Sequence, residues 1–146
     1  MISLKARCAK YVGVPFRERG QDPNGWDCWG LYHYIGRIEL GRDFPPLSEA
    51  YDRLKVYSTD NIADVIGVFL GDWHRIYSPI DGCAVAFDKR GDVAQRGGEP
   101  RIHHIGLMLG AREMIHVQKG AIGGTVIVPF DDLFHRRFFA GFWERN

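Results

Sequence analysis

The feature that most constrains this chain is a change of apolar period near residue 82. Before it, apolar residues recur at helical spacing. After it, they alternate two by two. Residues 3–12 predict a short helix, with Leu4, Cys8 and Tyr11 on one side and Gly13 and Pro15 as terminators. Residues 17–26 predict a polar loop. Asp27 is placed as the N-cap of a helix running to about Leu40, with Leu31, Tyr34, Ile35 and Ile38 as its apolar stripe and Gly41 just past its end. After Phe44-Pro-Pro-Leu, residues 48–77 are predicted to be mostly helical. Beyond 82 the strands are predicted at Cys83–Phe87, His103–Leu109, Glu113–Gln118, Thr125–Val128 and Phe138–Trp143, with a loop over Lys89–Arg101. Helices first and strands after predict an α+β fold whose helices pack on an antiparallel sheet.

At 146 residues, with no linker or internal repeat, the chain reads as one domain spanning 1–146. A domain of this size buries roughly 68–70% of the surface its unfolded chain exposes, so it needs neither a disulfide nor a metal to fold. Nineteen basic and eighteen acidic residues leave a net charge of +1, and the basic residues are scattered. Neither nucleic acid nor an anionic membrane has an electrostatic reason to bind such a surface. No apolar run approaches the length of a membrane span. Met1–Cys8 lacks the apolar stretch of a signal peptide, which predicts cytoplasmic synthesis.

The three cysteines, Cys8, Cys28 and Cys83, are too few and odd in number for a disulfide framework. Cys8 falls on the apolar side of a helix and Cys83 alternates with Val85 and Phe87, so both read as core. Cys28 differs because it opens a helix. Free N–H groups and the helix dipole favour a negative charge there, so its thiol pKa is expected to fall, and the same N–H groups could hold an oxyanion. Gly25 and Gly30 are expected to leave space near the sulfur. The plainer alternative is that Cys28 is another buried, inert thiol.

His104 opens a strand in which Ile105, Leu107 and Leu109 face one way, and His104, Gly106 and Met108 the other. A hairpin centred on Gly110 would set His104 directly opposite His116, close enough for a ring-to-ring hydrogen bond, with Gly106 leaving an open patch beside them. One imidazole could then act as base while the other fixes its tautomer. Without a cysteine partner, both would read as half-buried strand histidines. His103 has the opposite parity, and His33, His74 and His135 show no evident partner; these four read as structural or surface residues. Zinc on Cys28, His104 and His116 is conceivable, but no local ligand pair supports it, so neither metal nor cofactor is expected.

Taken together, Tyr11-Val-Gly-Val-Pro-Phe16, Gly25-Trp-Asp-Cys-Trp-Gly-Leu31, His104-Ile-Gly-Leu-Met-Leu and Met114-Ile-His116 resemble the NlpC family of papain-like cell-wall peptidases. The motifs lie in family order and reach both ends of the chain. The resemblance implies hydrolysis of peptide bonds in peptidoglycan stem peptides, with Cys28 as nucleophile, His104 as base and His116 as the residue orienting it. It implies a substrate-amine role for Asp27. Trp29 stands where Ser is usual and Phe16 where Tyr is usual, and both departures fall on substrate recognition. The Asp-Cys-Trp-Gly-Leu segment resembles the phage or prophage tail-assembly branch, which implies a virion-associated enzyme acting at the cell wall, with other tail proteins as partners. A silent structural or wall-binding tail protein and an acyltransferase on the same scaffold are the rival classes.

Overall fold

The computed structural model describes residues 2–48 and 73–146. Helix α1 (Leu4–Cys8) is capped by Ser3, whose hydroxyl accepts the Ala6 N–H, and it tightens into a 3-10 turn over Ala9–Tyr11. A short ribbon follows, β1 (Gln21–Asp22) against β2 (Gly25–Trp26). Helix α2 (Cys28–Ile38) begins immediately after it. Strands β3 (Trp73–Ile76), β4 (Ala84–Phe87), β5 (His104–Leu109), β6 (Glu113–His116), β7 (Val126–Pro129) and β8 (Phe139–Arg145) form one antiparallel sheet in the order β3-β8-β4-β5-β6-β7. The fold is α+β, as the change of period predicts. Residues 49–72 of the predicted middle helix lie outside the described residues. Its end is a correction: Trp73–Ile76 is an edge strand paired with β8. Trp73 and Ile76 are the kind of bulky apolar residues that strand pairing accommodates, and Trp73 is buried while His74 opposite it is exposed.

Strand β5 sits near the middle of the sheet and is buried along its whole length. Its two faces enter different cores. Ile105, Leu107 and Leu109 pack with Ile115, Ala84, Ala86 and the buried side of α2. Met108 packs on the other side with Val85, Phe87, Met114 and Phe142. Phe138 and Phe139 lie against that second core. The alternation read from the sequence is therefore correct, although both faces are covered. Cys8 and Cys83 are core residues as expected, one in each cluster, and all three cysteines are free.

The buried surface of α2 is wider than the predicted stripe. Leu31 and Ile35 are fully buried, but so are Tyr32 and, nearly so, Trp29 and His33, whereas Ile38 is 53% exposed. The reason is that Phe44, Pro45 and Trp73 cover Trp29, Tyr32 and His33, while the segment leading into the β1–β2 ribbon closes on the helix start. Gly30 marks that second contact. A Cβ there would stand 1.9 Å from the Gly20 carbonyl oxygen. Gly25 likewise faces the Arg17 side chain. Neither glycine makes room for the sulfur, which corrects the expectation above; Gly30 lets the ribbon segment close on the helix, and Gly25 lets the ribbon pass Arg17. Among the described residues, no helix is long and apolar enough to cross a membrane.

Candidate active site

Helix α2 starts where it does because Asp27 caps it. Its Oδ1 accepts the Gly30 N–H at 2.7 Å. Just upstream, the fully buried Trp26 donates its indole N–H to Thr125 Oγ1 at 2.9 Å, and that hydroxyl donates to the Val14 carbonyl at 2.8 Å. These bonds tie three segments distant in sequence around the helix start, so the position of Cys28 is set by the fold as well as by its own helix.

Cys28 lines a cleft of about 220 Å³ together with Phe16, His103, His104, Val117, Gln118 and Lys119. The cleft lies where β5 begins and β6 ends. That location resolves a difficulty of parity. His104 belongs to the sheet face turned away from α2, yet as the first residue of its strand it is reached around the end of the sheet. The backbone N–H groups of Ile105, next to His104, and of Trp29 and Cys28 itself favour the ionised form of the Cys28 thiol.

The thiol pKa does not fall. Burial is the dominant cause, the Asp27 carboxylate adds to it, and together they push the Cys28 thiol up to about 12 against the three backbone N–H groups. The helix N-terminus does supply the donors foreseen from the sequence, but Cys28 is only 4% exposed and the cost of burying a thiolate outweighs them. The resting cleft therefore holds a neutral thiol. Burial also holds His104 well below its ordinary pKa, helped by the neighbouring His116, His135 and His103, and it brings His116 down to about 4.

His104 Nε2 and His116 Nδ1 are hydrogen-bonded at 2.8 Å. The hairpin register differs from the one expected. Leu107 faces Ile115, Met108 faces Met114 and Leu109 faces Glu113, so the turn is centred on Ala111, one residue later than Gly110. The three-residue turn keeps both histidines on one face, but they meet diagonally. Gly106 is the residue beside His116, and it is no open patch: a Cβ there would lie 2.9 Å from Met114 Sδ, 3.2 Å from Val85 Cγ1 and 3.4 Å from His116 Cβ. Gly106→Ala is accordingly expected to cost about 1–3 kcal/mol through overpacking. A denaturation midpoint unchanged from wild type would show that the pocket gives freely.

His135 was not foreseen in this cluster. It precedes β8, and its ring lies 4.9 Å, centroid to centroid, from that of His116 and 6.2 Å from that of His104. Its Nδ1 is 2.9 Å from Asp132 Oδ1, which also accepts the His135 and Phe134 backbone N–H groups. The Asp132-x-x-His135 spacing was the available signal; only the pairing of β8 with β4, and of β4 with β5, brings it under His104. His103, read as facing away, is half-buried and lines the cleft. His33 holds the Pro45 carbonyl and His74 the Asn146 side chain, both structural as expected. Phe16 lies at the cleft as foreseen. Trp29 does not: its ring packs among Tyr32 and Trp73, on the other side of the helix start, and only its backbone N–H reaches the thiol.

Comparison with known proteins agrees with this geometry. The profile of the NlpC/P60 family matches residues 13–140. Among solved structures, the NlpC/p60 domain of peptidoglycan hydrolase SagA superposes with a TM-score of 0.54 at 21% identity, covering 95% of each chain. A protein described as similar to lipoprotein, of the NLP/P60 family, from Staphylococcus aureus subsp. aureus Mu50 superposes with a TM-score of 0.55 at 16% identity, covering 97% of this chain and 40% of that one. No curated protein matches the chain. With a family profile matched over most of its length and a like fold in both structures, this chain belongs to the NlpC/P60 family.

Proposed function

We propose that the protein is a cysteine peptidase that hydrolyses peptide bonds in bacterial peptidoglycan stem peptides, with Cys28, His104 and His116 as its catalytic residues. The observation that carries this reading is the pairing of a thiol at a helix N-terminus with an imidazole in one cleft, where that imidazole is already bonded to a second at 2.8 Å. The family and the peptidoglycan hydrolase named among the similar structures supply the substrate class.

The chemistry follows from the tautomers. His104 gives its Nε2–H to His116 Nδ1, which leaves Nδ1 of His104 as the basic nitrogen. Because the resting thiol is neutral, His104 takes its proton as the sulfur attacks the substrate carbonyl. The Cys28 N–H and a neighbouring donor hold the oxyanion. His104 then protonates the leaving amine, and an acyl-enzyme remains on Cys28. Water, deprotonated by His104, releases the acid. His116 accepts the Nε2–H throughout and stabilises the imidazolium, the role of the orienting third residue in a triad.

Phe16, a cleft residue without a hydroxyl, contacts the substrate. Asp27 is buried and spends Oδ1 on the helix cap, so holding α2 is its first task. Within the same reading, the Asp27-Cys-Trp-Gly-Leu31 segment supports the tail-assembly branch: a phage or prophage enzyme, carried with the virion tail and other tail proteins, acting locally on the wall. Digestion of purified peptidoglycan, followed by mass spectrometry of the new termini, tests the proposal. Release of stem-peptide fragments with free amino and carboxyl ends is expected. Intact muropeptides after prolonged digestion would dismiss it.

A further inference from the structure

The mechanism uses two of the three histidines gathered under β5. His104, His116 and His135 are each at least 94% buried, and one ring nitrogen from each lies within 4.8 Å of the others. Which nitrogens these are follows from their partners. Asp132 occupies His135 Nδ1, so that nitrogen carries the proton and Nε2 bears the lone pair. His135 Nε2 is buried and has no hydrogen-bond partner among the described residues. An unpartnered acceptor in the interior is costly, and here it belongs to a ring centred 4.9 Å from that of His116 and 6.2 Å from that of His104. A carboxylate on the distal nitrogen of an imidazole is also the common outer partner of a metal-bound histidine, because it fixes the ring and raises its basicity.

We infer that His104, His116 and His135 form a binding site for one divalent late first-row transition ion, of which Zn²⁺ is the best match, and that its occupation switches the enzyme off. Imidazole donors suit this class of ion, and three neutral histidines with one position left for water are an established zinc set. Zinc–nitrogen bonds of about 2.0–2.1 Å set tetrahedral donors about 3.4 Å apart, so small ring rotations must open the His104–His116 pair from 2.8 Å and draw in whatever lies as far as 4.8 Å. The ligands are His104 Nε2, His116 Nδ1 and His135 Nε2. Only His104 must change tautomer. Its proton moves from Nε2 to Nδ1, no proton is gained or lost, and the His104–His116 hydrogen bond is replaced by two metal bonds. The consequence for catalysis rests on the peptidase reading. With Nε2 on the metal and Nδ1 protonated, His104 has no lone pair left to take the Cys28 proton.

Metal-stripped full-length protein is titrated with Zn²⁺ by calorimetry, and crystals grown with Zn²⁺ are measured at the zinc absorption edge. One ion per chain is expected, centred on the three rings, with equal affinity in Cys28→Ala. Asp132→Asn should weaken binding roughly 10–100-fold. His135→Gln should weaken it at least as much, with circular dichroism confirming that both variants are folded. Should His135→Gln not fold, Asp132→Asn and the crystal carry the test. Failure to bind, an ion on the Cys28 sulfur, or a folded His135→Gln that binds as tightly as wild type would overturn the site. Zn²⁺ should also stop peptidoglycan digestion, reversibly with a chelator. If zinc occupies the three rings in a chain that cleaves nothing, the peptidase reading fails and the metal site stands; an active enzyme that binds no zinc gives the converse.

Discussion

Cys28→Ala is expected to lower the rate of peptidoglycan cleavage by about 10⁴–10⁶-fold while leaving the fold intact. The loss is large because no other thiol can substitute. Cys8 and Cys83 are fully buried, one in each core, and burial pushes both up to about 11. The fold survives because the substitution removes a single sulfur from a position whose helix is fixed by the Asp27 cap and the Trp26–Thr125 bond. Cleavage at more than a hundredth of the wild-type rate by a folded Cys28→Ala protein would remove Cys28 from the mechanism. The raised pKa adds a second readout. Because the resting thiol is neutral, Cys28 should react with iodoacetamide slowly at neutral pH and faster as pH rises.

His104→Ala is expected to cost about 10²–10⁴ in kcat/KM, the usual contribution of a positioned proton-transfer group. His104 is the one imidazole in the cleft whose other nitrogen is hydrogen-bonded to a second histidine, so its loss removes both the proton acceptor and the acid for the leaving amine. The direction of the pH dependence follows from burial. A base acts only when neutral, and its pKa is held below that of ordinary histidine. In chelator-treated wild type, the acid limb of kcat/KM should therefore lie below pH 6.5, the unperturbed value for histidine. A limb at or above that value, or a His104→Ala enzyme within tenfold of wild type, would show that another group moves the proton.

Much of this site was legible in the linear chain. Asp27 before Cys28 announced the cap and the helix start. The even separation of His104 and His116 put both rings on one face, provided the turn held an odd number of residues, and it holds three. Those inferences succeed because they depend on local geometry: the 3.6-residue period, the two-residue alternation and the chemistry of a cap. The errors have one cause. The hairpin register, the tasks of Gly30 and Gly106, the strand at Trp73–Ile76 and the displaced ring of Trp29 are all decided by what packs against each residue from elsewhere in the chain.

The sequence by itself determined the class of fold, the start of α2 at Cys28 and the parity that sets His104 and His116 on one face of the sheet. The tertiary structure decided the electrostatics. Whether a helix N-terminus lowers a thiol pKa depends on how much water reaches it, and around Cys28 the sheet, α2 and the ribbon exclude that water. The third histidine was likewise a tertiary matter. His135 lies 19 residues beyond His116, and its neighbourhood exists only because β8 returns to pair with β4.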